Sequence, residues 1–400
     1  MKKLAVIIGV LCVGLLWGGN SIFSYDGFPV RYFGRDIYSL GMGDTGASDI
    51  FRYNTGYANP AMSNQDNKTL FGTGMLMGYT IYDSEVNGVK KNFWDDALDF
   101  PYFNVSIPAG RHRIGAQFSP HSSGLVSNET TLGDGTLEQQ TADKYLYRAD
   151  LIYSAKLGNL NLGLSGNLLF GHDKRYFYQS GTYGNFNTRE SLIRDYKGQT
   201  ITAGFIQSFD KLSLGAYYVL PAELKGNSVR NSVHETEAAE DYEYELPASY
   251  NVGVTKISDD HQLKVAFDIN YEPWRIISNS YRNSLKAGIG FAYEPDPELH
   301  KSAFMRLPLR LGTSIRQIEF KDKNGKFIEE VGVSCGITFP LKREVNRIDL
   351  GLQLLKRGDI KTNQLSDTSI MLMLGFTGFD LITKSTDRTA PRDIPVKEDF

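Results

Sequence analysis

The stretch Leu263-Lys264-Val265-Ala266-Phe267-Asp268-Ile269-Asn270-Tyr271 alternates without a break between apolar residues and small, polar or charged ones. A period of two is typical of a β-strand with one apolar face, because successive side chains point to opposite sides of a strand. The same alternation occurs in 160–168 and 331–339. It predicts that the chain is built from half-buried strands.

Outward from this stretch, the alternation recurs through most of the chain, and no long segment has helical periodicity. The predicted strands number fourteen: 69–82, 100–108, 111–119, 143–156, 160–170, 199–209, 211–220, 247–257, 261–273, 283–294, 305–316, 328–339, 346–356 and 367–379.

The links between these segments alternate in length. Links after odd-numbered strands are mostly long, as in 120–142 and 221–246, whereas links after even-numbered strands are mostly short, as in 109–110. Outer-membrane barrels have this asymmetry, with long loops outside, short periplasmic turns and an even number of strands. The pattern therefore predicts an all-β fold: a fourteen-stranded antiparallel transmembrane barrel with apolar residues facing lipid and polar residues facing the lumen. A soluble sandwich or a propeller is the alternative, but no repeat of fixed period supports a propeller.

Composition excludes several other classes. The 400 residues are 41% hydrophobic and 22% charged, with a net charge of -3. This argues against a helical multi-span protein and gives no basic surface for nucleic acid. The two cysteines cannot form a disulfide framework, and the six histidines stand at no metal-ligand spacing, so neither a metal nor a cofactor is predicted.

The two ends of the chain lack the alternation. Residues 1–24 have the features of a secretory signal peptide, with Lys2 and Lys3 before an apolar run, and we place the cut after Ser21 or Ser24. Residues 25–68 are predicted to form an N-terminal hatch, or plug, inside a barrel of residues 69–379. The charged, proline-containing segment 380–400 is interpreted as a flexible periplasmic tail.

The segment 40–61 also carries a resemblance. Leu40-Gly41-Met42-Gly43-Asp44-Thr45-Gly46-Ala47, followed by Asp49, Tyr57 and Asn59-Pro60-Ala61, resembles the N-terminal signature of the FadL-type family. That family comprises outer-membrane transporters of long-chain fatty acids and aromatic hydrocarbons, with fourteen strands and an N-terminal hatch. The resemblance implies a bacterial outer-membrane location and passive transport of hydrophobic small molecules. It implies that Asn59, Pro60 and Ala61 belong to the hatch.

Two sets of residues are candidates for the interior. An apolar ligand path would use Phe28, Phe33, Tyr38, Leu40, Met42, Phe51, Met371 and Met373, unless these residues only pack the plug. Charged residues on polar strand faces would form a lumen network that anchors the hatch, or else a polar conduit: Arg148, Asp150, Asp268, Lys286, Arg310, Arg316 and Asp349.

A second function from a different class stays open. A sealed barrel could instead hold protein partners with its outer loops, and the long links 171–198 and 221–246 favour this mildly. The acidic run 235–245 is interpreted as a solvated loop that divalent cations could bridge to lipopolysaccharide. Ring residues near strand ends predict interfacial girdles: Tyr79, Tyr82, Tyr145, Tyr153, Tyr218, Tyr250, Tyr271, Trp274, Tyr293 and Phe339.

Two motifs match enzyme signatures only as letters. Gly41-x-Gly43-x-x-Gly46 lacks the strand–helix context of a dinucleotide site, so its glycines are interpreted as permitting tight turns. Gly332-x-Ser334-x-Gly336 lies in the middle of a predicted strand, where a nucleophile elbow cannot form. An enzyme is therefore not predicted.

Overall fold

The computed structural model describes residues 21–25, 30–33, 36–52, 58–62, 69–86, 88–133, 135–180, 187–233, 235–296, 306–341 and 346–379. The apolar run of the predicted signal peptide, Phe28 of the predicted ligand path, and the predicted tail 380–400 lie outside these ranges.

The described residues form one closed antiparallel barrel of fourteen strands. Each strand pairs with its neighbours in sequence, and the last strand pairs with the first from Leu365 opposite Ser84 to Phe379 opposite Leu70. The strands are β1 Leu70–Val86, β2 Val89–Asp99 with Phe103–Ala109, β3 His112–Thr131, β4 Leu137–Leu157, β5 Leu160–Ser180, β6 Thr188–Phe209, β7 Leu212–Val219 with Ala222–Asn231, β8 Glu240–Leu246 with Ser249–Ile257, β9 Leu263–Glu272, β10 Ser284–Tyr293, β11 Leu309–Lys321, β12 Phe327–Pro340, β13 Arg347–Asp359 and β14 Leu365–Phe379.

The predicted number of strands and their two faces are confirmed. On β9 every second residue from Lys264 to Glu272 is buried, and the residues between them are exposed on the outside. Phe267 is 39% exposed, whereas its neighbour Asp268 is 4% exposed. The apolar exterior and the closure of the sheet on itself suit a bilayer, as in transmembrane β-barrels.

The prediction that long loops connect the strands at the outer end is mostly wrong, because the strands themselves continue through these links. Strands β3 to β6 run for 20 to 22 residues, and their ladders continue well beyond the ten or so residues that a bilayer requires. Beyond the membrane both faces of a hairpin can be polar, so the hydrophobic alternation ends while the backbone pairing continues. The acidic run 235–245 accordingly enters strand β8 at Glu240.

The aromatic residues divide between two environments. Tyr79, Tyr153, Tyr250 and Tyr271 are exposed on the outer face as predicted, and Trp94 joins them at 69% exposure. Tyr82, Tyr145 and Trp274 are instead almost fully buried inside the barrel, so the prediction that they lie in the girdles is wrong. Their position near strand ends was not sufficient, because only residues of the outward parity contact lipid.

Helices are short in this fold. Two helices, α1 Ile37–Leu40 and α2 Ile360–Asn363, and two 3-10 turns, Ile22–Ser24 and Trp274–Ile276, interrupt the described chain. No helix among the described residues is long and apolar enough to cross a membrane.

Candidate functional site

The described residues between 21 and 62 contact lumen-facing residues of the barrel wall. Ser21 donates to Asp367 at the outer end of β14 (2.6 Å), and the backbone at Arg31 pairs with Ser122 of β3. Ser21 falls inside the predicted signal peptide, so a cut after Ser21 or after Ser24 would remove this contact. The exact cleavage point stays a prediction.

Lumen-facing glycines accommodate the backbone of this segment. A methyl group built on Gly163 of β5 would lie 2.1 Å from the carbonyl carbon of Pro60, and one on Gly312 of β11 would lie 2.0 Å from the nitrogen of Gly43. Only a residue without a Cβ permits such close approach of two backbones. Glycines on most strands of the wall contact the described residues of this segment: Gly74, Gly163, Gly204, Gly215, Gly253, Gly288, Gly290, Gly312, Gly358 and Gly375.

The Gly41–Gly46 segment turns tightly against this wall. Gly43, Asp44 and Gly46 all have positive φ, at 71°, 57° and 114°. The nitrogen of Gly43 donates to the hydroxyl of Ser334 (2.9 Å), and the nitrogen of Ala47 donates to the carboxylate of Asp268 (2.9 Å). The turn interpretation of the glycine motif therefore agrees with the backbone, and Ser334 serves as a hydrogen-bond acceptor on a strand.

Asn59 forms the second turn that the resemblance singled out. Its side-chain oxygen accepts from the nitrogen of Ala61 (3.0 Å), and its amide donates to the carbonyl of Ala47 (2.9 Å). The asparagine thus fixes its own turn, as this residue type does in Asx turns, and ties the two parts of the segment together. Pro60 follows against Gly163 of the wall.

A buried ionic cluster joins the segment to the periplasmic end of the wall. Arg52 binds Asp36 through both terminal nitrogens (2.6 and 2.9 Å) and Asp49 through its Nε (3.1 Å). Lys264 of β9 binds the same Asp49 (3.3 Å) and Glu294 (3.2 Å). Each charge therefore has a partner of opposite sign, which buried charges require.

Two carboxyl groups of this cluster, Asp36 and Glu294, have lowered pKa values. Burial alone would raise the pKa of Asp36, but the Arg52 guanidinium outweighs it and holds the pKa well below its usual range. Burial likewise opposes ionisation of Glu294, yet Lys264 and the Tyr38 hydroxyl lower its pKa to about 2. Both groups therefore remain ionised at neutral pH.

All seven predicted lumen charges occupy lumen-facing positions and have polar partners. Two bind polar groups of the N-terminal segment: Lys286 pairs with Asp44, and Asp268 accepts from the nitrogen of Ala47. The remainder pair along the wall, as Arg148 with Asp150 (2.8 Å), Arg310 with Asp349 (3.1 Å) and Arg316 with Glu319 (3.0 Å).

The predicted apolar path residues are split between several places. Met371 and Met373 of β14 pack with Ile37, Leu76 and Tyr102, and Leu40 joins this cluster. Tyr38 and Met42 belong to a separate cluster with Ala266 and Ala292. The Tyr38 ring lies 4.1 Å from the Arg52 guanidinium and 4.3 Å from that of Arg310, and the Phe33 ring lies 3.9 Å from Lys286 Nζ. Phe51 is half-buried near neither cluster.

A small cavity lies in the lumen beside the methionine cluster. It measures about 60 Å³ and is lined by both apolar and charged residues, among them Leu40, Leu76, Met371, Lys286 and Glu330. The described residues therefore leave little free space in this part of the lumen.

The wall of the barrel is incomplete between β2 and β3. The inner part of β2, Phe103–Ala109, pairs with β3, but within the described residues its outer part Val89–Asp99 pairs only with β1. Here β3 turns inward, since residues 119–124 are all buried, and its register shifts by one residue between Pro120 and Ser122. Across the gap the hydroxyl of Ser123 donates to Asp99 (3.2 Å). Tyr102 of the methionine cluster lies at the inner end of this gap.

Sequence reasoning missed several of these residues. Lys264 stands at the same parity on β9 as Asp268, and Glu330 of β12 and Arg357 of β13 form a buried pair (2.6 Å) that continues to Asp367. The alternation could have identified these residues, because a charged residue at a lumen-facing position predicts a buried ion pair whether it lies at the end or in the middle of a strand. In the sequence the wall glycines could be recognised only as small residues on the lumen face, because the backbone that packs against them comes from a distant part of the chain.

The chain and its fold are similar to those of known proteins. A family model described as BamG matches residues 2–380. The toluene transporter TodX of Pseudomonas putida is similar in structure at a TM-score of 0.64 and 18% identity, covering 88% of this chain and 99% of that one. A FadL homologue of Pseudomonas aeruginosa is similar at 0.63 and 11% identity (87% and 99%), and the toluene transporter TbuX of Ralstonia pickettii at 0.57 and 16% identity (88% and 100%). No curated protein matches the sequence.

Proposed function

Because the chain belongs to the BamG family and has the FadL-type fold, we propose that it is a passive outer-membrane transporter of hydrophobic small molecules, such as fatty acids or aromatic hydrocarbons. The observation that carries the proposal is the gap between β2 and β3, which adjoins an apolar cluster of two methionines, Leu76 and Tyr102. An apolar solute leaving the lumen there would enter lipid and would not have to cross the polar periplasmic end.

The cavity beside Met371 is too small for a fatty acid, so transport requires movement of the N-terminal segment. That segment meets the wall through ion pairs such as Asp44 with Lys286, and through backbone contacts on glycine. A shift of Leu40 and Ile37 would enlarge the space beside Met371 and Met373 without breaking the barrel ladders. Flexible methionines suit such a changing pocket.

A reversible disulfide tests the gap. Asp99→Cys and Ser123→Cys, made in a Cys335→Ser background, would join the two edges that already touch through their side chains. We expect oxidation to lower uptake of labelled toluene and oleate by cells, and a reductant to restore it. Asp99→Cys alone is the matched control. Uptake that is indifferent to oxidation would refute the gap as an exit, and no uptake above that of cells lacking the chain would refute transport.

The second candidate function is a sealed barrel that binds protein partners at its outer end. The extended hairpins of β3 to β8 favour it, since they project far beyond the bilayer and carry exposed charges. It predicts that cells with and without the chain take up every hydrophobic compound equally, and that cross-linking from the hairpins captures a discrete partner.

A further inference from the structure

The acidic segment of β8, Glu240–Leu246, has an inward face that carries tyrosines instead of carboxylates. Along Glu240–Leu246, Glu243 and Glu245 are exposed on the outside, while Tyr242 and Tyr244 point inward and are half-buried. The alternation of a strand thus converts an acidic run into a tyrosine-bearing inner wall at the outer mouth of the barrel.

These tyrosines line a cavity of about 400 Å³ at the extracellular end. Further rings come from Tyr196, Trp274, Tyr281 and Phe320, which lie on β6, on the β9–β10 connection and on β11. Among the described residues, this cavity shares no lining residue with the small one beside Met371.

Charged side chains stand among the rings. Asp173 binds Arg175 (3.0 Å) and lies 3.7 Å from Arg194, whose guanidinium stacks over the Tyr242 ring at 4.6 Å. Lys144, Lys321 and Glu319 complete the charged lining. Among the described lining residues, four cations therefore face two carboxylates, an excess of two positive charges.

Such a wall suits one class of ligand. The ring C–H faces of a sugar pack against aromatic rings, while its hydroxyls hydrogen-bond to paired carboxylate and guanidinium groups. A hydrocarbon would instead remove water from the charged side chains of the lining and offer them no hydrogen bonds, which is unfavourable. The excess of cations adds a preference for a negative group on the ligand.

We propose that this cavity binds an acidic saccharide, that is, an oligosaccharide bearing a carboxylate or a phosphate. Lys144 also donates to the backbone carbonyl of Tyr25 (2.8 Å), so the floor of the cavity touches the N-terminal segment. Occupation of the site would therefore be sensed by the residues that fill the lumen. This inference does not depend on the transport of hydrophobic molecules.

Calorimetry on the purified full chain tests the proposal. The protein is kept in a polyoxyethylene detergent, because sugar-headed detergents would compete. The probes are 3′-sialyllactose, a chondroitin disaccharide and trehalose-6-phosphate, with lactose and trehalose as neutral counterparts. We expect at least one acidic probe to bind at millimolar concentration or below, and its neutral counterpart to bind about tenfold more weakly.

Variants locate the binding. Tyr242→Ala and Arg194→Ala should each weaken it about tenfold or more, whereas Tyr242→Phe, which retains the ring, should not. Tyr176→Ala is the control, since Tyr176 lies on the outward face of β5. Heat-modifiable migration verifies that each variant is folded. The proposal is overturned if no acidic probe binds, if neutral and acidic sugars bind equally, or if Tyr242→Ala and Arg194→Ala bind like the control.

Discussion

Gly163 and Gly166 lie three residues apart on β5 and differ only in what surrounds them. A methyl group on Gly163 would collide with the backbone at Pro60, whereas one on Gly166 would meet nothing within 4 Å. We expect Gly163→Ala to destabilise the folded protein by about 1–3 kcal/mol through overpacking, and Gly166→Ala to have no such effect. Thermal unfolding in detergent measures both. Equal melting temperatures for the two variants would show that the N-terminal segment does not rest on this glycine.

Lys264 is the cation on which two carboxylates depend. Its ammonium is fully buried between Asp49 and Glu294, so Lys264→Met leaves both without this partner. Removing one member of a buried pair costs about 3–5 kcal/mol. Lys211→Met is the control, because Lys211 pairs with Asp259 in an exposed turn and its loss should change nothing measurable. Denaturant unfolding compares them, and a Lys264 variant as stable as the control would contradict the reading.

At the scale of elements, the N-terminal segment should detach in acid. The folded pKa of Glu294, about 2, lies below its ordinary value of about 4.3, and the pKa of Asp36 is lowered as well. The stability from these groups is therefore fully present above pH ~4.3 and is lost as the pH falls toward 2. Limited proteolysis of residues 36–52 should increase over that range. Unchanged protection down to pH 2 would exclude the ion pairs as anchors.

The two faces of one strand should respond differently to substitution. Val333 of β12 is 54% exposed on the lipid face, and an arginine near the bilayer midplane costs about 2–4 kcal/mol. Val333→Arg should therefore impair insertion. Ser334→Ala should insert normally but expose residues 41–47 to protease, because Ser334 accepts from Gly43. Heat-modifiable migration reports the first effect and proteolysis the second. An inserted Val333→Arg barrel would reverse the assigned faces.

The strands show how far sequence reasoning extends. Period-two alternation predicted β9 and both of its faces, because contact with lipid on one side and the lumen on the other imposes the pattern on each residue. It stopped short at β3 to β6, where strands leave the bilayer and that constraint ends. The partners of Lys264 could not be predicted, since they come from Asp49 and Glu294, and only the closed barrel brings these together. The same holds for the inward tyrosines of 240–246.

At the scale of the molecule, the contacts that close the barrel are largely separate from the contacts that hold the N-terminal segment to the wall. The ladders of fourteen strands close the barrel. Within the described part of the chain, the N-terminal segment joins them only along residues 121–123 of β3. The described residues of the segment contact the lumen-facing wall through ion pairs and glycines. The barrel can therefore remain closed while the segment moves, which is the property that both transport and sensing of an outer ligand require.

Deleting residues 30–52 tests this separation. The deletion removes Asp49, Asp44 and Ala47, which are partners of Lys264, Lys286 and Asp268, and Lys264 keeps Glu294. Water would then fill the lumen and solvate the exposed charges, so we expect the barrel to fold and insert. The wild-type chain, with a cavity of only about 60 Å³ beside the methionines, should conduct ions poorly in a planar bilayer. The deletion variant should show a large, steady conductance, because a barrel of this strand number is wider than side chains can fill. Heat-modifiable migration confirms that the variant is folded. A folded variant that conducts no better than the wild-type chain would mean that other residues close the lumen.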